Sequence, residues 1–141
     1  MQSVSGRHDG RRILLQVAVL GSDNPADLTF VRATALLDTG ATSSALSPRI
    51  VKQLALQPFA KRPLLVATEE RLVDYYLFRI GLFETQYVSQ PYDTTLPYVF
   101  TETEGFRLRD SQTFEVILGM DVIGQCDLTI GRNGAWALRY G

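Results

Sequence analysis

Short runs of β-branched and aliphatic residues, each cut off by a cluster of turn formers, constrain this chain more than any other feature. Residues 13–20 and 29–37 are such runs, and Gly-Ser-Asp-Asn-Pro-Ala-Asp lies between them. Strand-type runs recur at 63–67, 72–80, 114–118, 126–130 and 135–140. Thr68-Glu69-Glu70-Arg71 joins the pair at 63–67 and 72–80, and Asn133-Gly134, a strong hairpin signal, divides the last two. A helix is expected only after Ser47-Pro48, where serine serves as N-cap and proline as first helical residue, with a second short turn over 120–124. From 85 to 112 the pattern weakens, and Pro91 and Pro97 argue against a long regular element. The expected class is therefore mainly β with one or two short helices.

Length and reactive side chains narrow the chemistry. At 141 residues the chain fits one domain. A polar segment over 1–12 is expected to be flexible, with the domain spanning 13–141. Fourteen basic residues against fifteen acidic ones leave a net charge of −1, with no strong drive toward nucleic acid or an anionic membrane. The longest apolar run, 13–20, is broken by Gln16 and is too short to span a bilayer. Residues 1–12 lack the apolar core of a signal peptide, so a cytoplasmic location is expected. One cysteine (Cys126) and one histidine (His8) exclude an intrachain disulfide and a Cys/His zinc site within one chain. A Ser-His or Cys-His nucleophile would have to use His8, which sits in the polar N-terminal stretch. Carboxylate chemistry is what remains for hydrolysis.

Leu36-Leu37-Asp38-Thr39-Gly40-Ala41-Thr42-Ser43 is the segment that carries such chemistry. Two apolar residues deliver the chain from a buried strand straight to a carboxylate. The Thr39 hydroxyl is expected to tie the following loop, and Gly40 lets another backbone approach closely. As a bare turn, Asp-Thr-Gly also simply ends a strand. A second segment far downstream, Ile117-Leu118-Gly119 followed by Met120-Asp121, changes the weight of the first. Asp121 is expected to cap the short helix that follows. Cys126, flanked by apolar residues, reads as a core thiol.

Together the two segments resemble the retroviral-type, or retropepsin-like, aspartic proteases. Leu36 to Ala41 and Ile117 to Gly119 carry the resemblance, and Ile-Leu-Gly-Met-Asp looks more like cellular and bacterial members than viral ones. The resemblance implies a single-domain closed β-barrel of the acid-protease type, active as a dimer. It implies Asp38 as catalytic acid, supported by Thr39, Gly40 and Ala41, with Ile117, Leu118 and Gly119 as a structural second motif. Substrate is expected against Thr42, Ala67, Thr68 and Glu69, with a flap tip at Thr68 to Arg71. That tip lacks the glycines common in viral flaps, and the distance from Asp38 to Gly119 is longer than in compact viral members.

Aspartic hydrolysis needs two carboxylates about 3 Å apart, which cannot both ionise, so that one keeps a proton while the other polarises a water. This chain has a single Asp-Thr-Gly, and a homodimer would supply the missing acid. The expected function is an aspartic endopeptidase acting on a protein or peptide bound extended, with no metal or organic cofactor implied. Two other readings stay open: a catalytically silent member of the same fold that binds peptide or dimerises, and an unrelated β-module with an accidental Asp-Thr-Gly.

Overall fold

The computed structural model describes residues 1–66, 68–86, 96–109 and 113–141, with Val66 described in its backbone only. In chain order its elements are β1 (Gln2–Arg7), β2 (Leu14–Gly21), β3 (Phe30–Leu37), β4 (Ala45–Leu46), α1 (Pro48–Gln53), β5 (Ala60–Val66) and β6 (Glu69–Leu82). There follow β7 (Tyr98–Val99), β8 (Thr103–Arg107), β9 (Val116–Leu118), α2 (Met120–Ile123), β10 (Asp127–Ile130) and β11 (Ala135–Tyr140). The class is mainly β with two short helices, as the sequence implies.

β2 and β3 form the expected antiparallel pair, with Leu14 opposite Leu36 and Leu20 opposite Phe30. Along β3 the residues alternate, Val31, Ala33, Ala35 and Leu37 facing the core, which is the period-two signature of a half-buried strand. β2 is buried on both faces. Val17 and Val19 join the main core, while Ala18 and Leu20 pack with Phe83 against Phe30 and Val99. Double burial explains why residues 13–20 read as a nearly continuous apolar run.

β9 is threaded between β3, to which it is parallel, and β4, to which it is antiparallel. The order continues through β8 and β6, and β6 also pairs with β2, so the pairing runs round and returns to its start. β5 and the outer half of β6 make a long hairpin, Ala60↔Tyr75 to Val66↔Glu69, that extends beyond this ring. Arg79, buried at the inner end of β6, donates to the carbonyls of Gly21, Asn24, Pro25 and Asp27 and so shapes the β2–β3 connection.

α1 begins as the sequence dictates. The Ser47 hydroxyl accepts from the Ile50 N–H at 3.4 Å, Pro48 opens the helix, and Ile50 and Val51 are its buried residues. A three-stranded sheet, β1-β11-β10, completes the fold. Here the structure differs from the expected loose arm over 1–12: Gln2 to Arg7 pair with Tyr140 to Ala135 along the whole of β1. Val4 inserts into the core and backbone pairing does the rest, so little hydrophobic pattern is needed. Two further strands, β7 and β8, lie within the weakly patterned 85–112 region.

Candidate active site

Asp38 stands at the first position beyond β3, and the two strands beneath it explain its placement. Leu37 and Leu118 are register partners in the parallel β3–β9 pair. Both side chains are buried, each worth roughly 1.5–3 kcal/mol on the hydrophobic scale. The Asp38 N–H donates to the Leu118 carbonyl at 2.9 Å, extending the ladder one residue into the loop. The loop then closes on itself: the Gly40 N–H donates to Asp38 Oδ1 at 2.9 Å and the Ala41 N–H to the Asp38 carbonyl at 3.2 Å. The carboxylate is thereby half-buried and oriented.

Gly119 is where the second motif meets the first. A Cβ there would stand 2.7 Å from the Ser43 carbonyl carbon and 2.9 Å from the Ala41 oxygen, so only glycine lets the strands cross. Just beyond it, the Met120 N–H donates to the Ala41 carbonyl at 2.8 Å and the Asp121 N–H to the Thr42 carbonyl at 3.2 Å.

Asp121 does something other than cap α2, whose N-cap is Gly119 with no side-chain bond. Its carboxylate accepts from the Ser44 N–H (2.9 Å), the Ser44 hydroxyl (2.7 Å), the Thr103 hydroxyl (2.6 Å) and the Val122 N–H (3.0 Å). The buried Ser44 hydroxyl in turn accepts from the Gly119 N–H at 3.0 Å. This network ties the end of the Asp38 loop, α2 and β8 together. Ser44 and Thr103 gave no signal in the sequence, because the three side chains are far apart along the chain.

A cavity of about 420 Å³ opens beside Asp38 and Thr39. It is also lined by His8, Arg11 and Arg12 from the β1–β2 connection and Ile130 from the end of β10, none of which the sequence placed at the site. Asp38 is the one carboxylate among its described lining residues. His8 is committed elsewhere: its Nδ1 accepts from the Gly10 N–H at 3.0 Å, which leaves the proton on Nε2, 3.2 Å from the Gly131 carbonyl. An imidazole bonded at both nitrogens is no ready base for a serine or cysteine.

The remaining expected site residues are more dispersed. Thr39 is exposed, and among the described residues its hydroxyl has no partner, so the expected tie within the loop is not made. Thr42 is exposed beside the crossing. Thr68 and Glu69 lie at the exposed tip of the β5–β6 hairpin, Glu69 paired with Arg71 at 3.1 Å, and neither lines the Asp38 cavity. Ala67 lies outside the described residues. Among those residues no three His, Cys, Asp or Glu side chains gather as a metal set.

Residues 25–122, which include Asp38 and Gly119, match the sequence profile of the family described as aspartyl protease. The chain belongs to the aspartyl protease family. No curated protein matches it. In fold this aspartyl protease family member is similar to a retropepsin-like aspartic protease from Rickettsia conorii, with a TM-score of 0.59. The two are 16% identical over 99% of this chain and 94% of that one. A retroviral protease-like domain of Ddi1 from Leishmania major aligns over 85% of this chain and 82% of that one, at 14% identity and a TM-score of 0.43. The retropepsin-like fold implied by the two motifs is thus the fold of this chain. Among the described residues no helix is long and apolar enough to cross a membrane.

Proposed function

We propose that this chain is an aspartic endopeptidase that works as a homodimer, with Asp38 of each copy supplying one half of the acid pair. The observation that carries the reading is Asp38 itself: a half-buried carboxylate on a hydrogen-bonded loop above two packed leucines, facing a cavity. Asp121, the other acid near the loop, has its oxygens filled by four donors and is in no position to share a proton with Asp38. The second acid therefore comes from a second copy related by a two-fold axis.

In that pair one carboxylate holds a proton and the other draws a proton from a bound water. The water oxygen attacks the peptide carbonyl, and the protonated partner donates to the developing oxyanion. Collapse of the tetrahedral species passes a proton to the amine and breaks the C–N bond. The Gly40 and Ala41 N–H groups hold the loop, Thr39 stands exposed beside Asp38 as a supporting residue for the assembled site, and Ile117, Leu118 and Gly119 form the floor. An extended peptide lies between this floor and the β5–β6 hairpin, with Thr42, Ala67, Thr68 and Glu69 as contacts.

The test is cleavage of a peptide library by wild-type and Asp38→Asn chains. An amide cannot share the proton or activate water, so we expect cleavage to fall at least about a thousandfold while the fold is kept. Equal cleavage by both forms would remove the aspartic mechanism. No cleavage by wild type at any concentration would favour the silent, peptide-binding reading.

A further inference from the structure

The β1–β2 connection, which lines the Asp38 cavity, is more organised than a polar N-terminal loop has to be. Asp9 Oδ1 accepts from the N–H groups of Arg11 (2.8 Å) and Arg12 (2.7 Å), and the His8 N–H donates to the Gly134 carbonyl at 2.8 Å. Gly10 takes a positive φ of 85°, which turns the chain between them. At the far end the Ile13 carbonyl accepts from the Leu37 N–H at 3.0 Å, fastening the connection to the strand that carries Asp38. Both arginines are thus held on the cavity wall by backbone bonds, before any ligand arrives.

Their charges are not equally spent. The Arg12 and Arg11 N–H groups hold Asp9 below the usual carboxylate range, and the Arg12 charge adds a smaller share as a nearby counter-charge. Neither guanidinium has a hydrogen-bond or ion-pair partner among the described residues, and Arg11 is the one whose charge Asp9 does not offset. Nor does an ion pair join either arginine to Asp38, whose Oδ1 is taken by the Gly40 N–H. A free guanidinium, on a preorganised loop, lines the same cavity as the candidate catalytic carboxylate. The volume, about 420 Å³, lies within the range of pockets that bind small ligands and has room for a side chain of an extended peptide.

Building on the endopeptidase reading, we infer that Arg11 makes this cavity a subsite for an acidic side chain of the substrate, close to the bond cut at Asp38. A glutamate or aspartate there takes charge-assisted, bidentate hydrogen bonds from the guanidinium, while a lysine meets like charge. Ile13 and Ile130 also line the cavity and offer apolar surface to the aliphatic part of a longer side chain. The wall remains open to water, which limits the preference to about tenfold. Arg11 is on this view a specificity-determining residue and takes no part in the proton transfers.

The experiment uses the full chain and peptide sets identical except for Glu, Gln or Lys at each position flanking the scissile bond. At one position wild type is expected to favour Glu over Gln by about tenfold in kcat/KM, with Lys below Gln. Arg11→Gln should bring the Glu:Gln ratio to within about twofold, and Arg11→Glu should turn the preference toward Lys. The same Glu and Gln peptides, fluorescently labelled, are titrated against the Asp38→Asn chain, where the tenfold difference should appear in Kd without any chemistry. Failure of wild type to cleave either peptide would count against the peptidase reading alone, because this binding ratio still decides the subsite. Cleavage or binding without a charge preference would overturn the inference. So would a preference that survives Arg11→Gln, or an Arg11→Gln effect confined to the protein concentration needed for activity, which would make Arg11 a contact between copies.

Discussion

At the scale of single residues, the site depends on a few positions where no alternative side chain serves. Gly119 is the plainest case. Its missing Cβ is space that the Ser43 and Ala41 backbones occupy, so Gly119→Ala is expected to cost about 3 kcal/mol, seen as a shift of the urea midpoint. Cys126 shows the opposite kind of constraint. Burial against the core pushes its thiol up to about 11, with Asp127 adding to the shift, against an ordinary value of 9.0. At neutral pH this leaves roughly a hundredfold less thiolate, so alkylation of the folded chain should be slower than that of the denatured chain by about that factor. A fast-reacting Cys126 in the folded chain would contradict the packing described. Both residues were legible in the sequence, as were Asp38 and its loop, because each carries its meaning within a few neighbours. Asp121 was legible only as a polar residue beginning a helix. Its true partners, Ser44 and Thr103, are 77 and 18 residues away in sequence, and local spacing holds no trace of them.

Between elements, the tie that joins α1 to the start of β9 is an exposed ion pair with a definite pH signature. Arg49 grips Glu115 through two nitrogens, Nη2 to Oε1 at 2.7 Å, and the Ser47 hydroxyl donates to the same carboxylate at 3.2 Å. The Arg49 hydrogen bonds pull Glu115 below the ordinary carboxylate range, against a smaller opposing effect of burial. A carboxylate depressed in the folded state stabilises it above the unfolded pKa, and that contribution disappears as pH falls through the folded value. Arg49→Ala should therefore lower stability by about 0.5–1 kcal/mol near neutral pH, the difference closing as pH falls through the depressed Glu115 pKa. Thermal melts of both forms across that range check it, and a difference independent of pH would point to packing instead. β1 shows why some elements escape a sequence reading. Its six residues contain one buried aliphatic, Val4, and its pairing with β11 rests on main-chain bonds that any non-proline sequence can make. With β1 unread, the loop after it looked like a free tail, and its part in lining the Asp38 cavity was out of sight. The β2–β3 pair and α1 were readable because alternation, turn formers and a serine–proline start agree with one another.

On the scale of the whole molecule, the account rests on an incompleteness. A ring of strands holds one loop with one acid, and the described lining of its cavity offers no second carboxylate. If each site is built from two copies, wild-type chains mixed with Asp38→Asn chains will be drawn into dimers that hold a single carboxylate and cannot share a proton across the pair. The decisive measurement is peptidase activity in such mixtures, at fixed wild-type concentration and after exchange has reached equilibrium. Random assortment predicts that an equal amount of Asp38→Asn chain leaves about half of the activity per wild-type chain, and that excess variant drives it toward zero. Activity per wild-type chain that stays constant at every ratio would show that one Asp38 suffices, and would contradict the account.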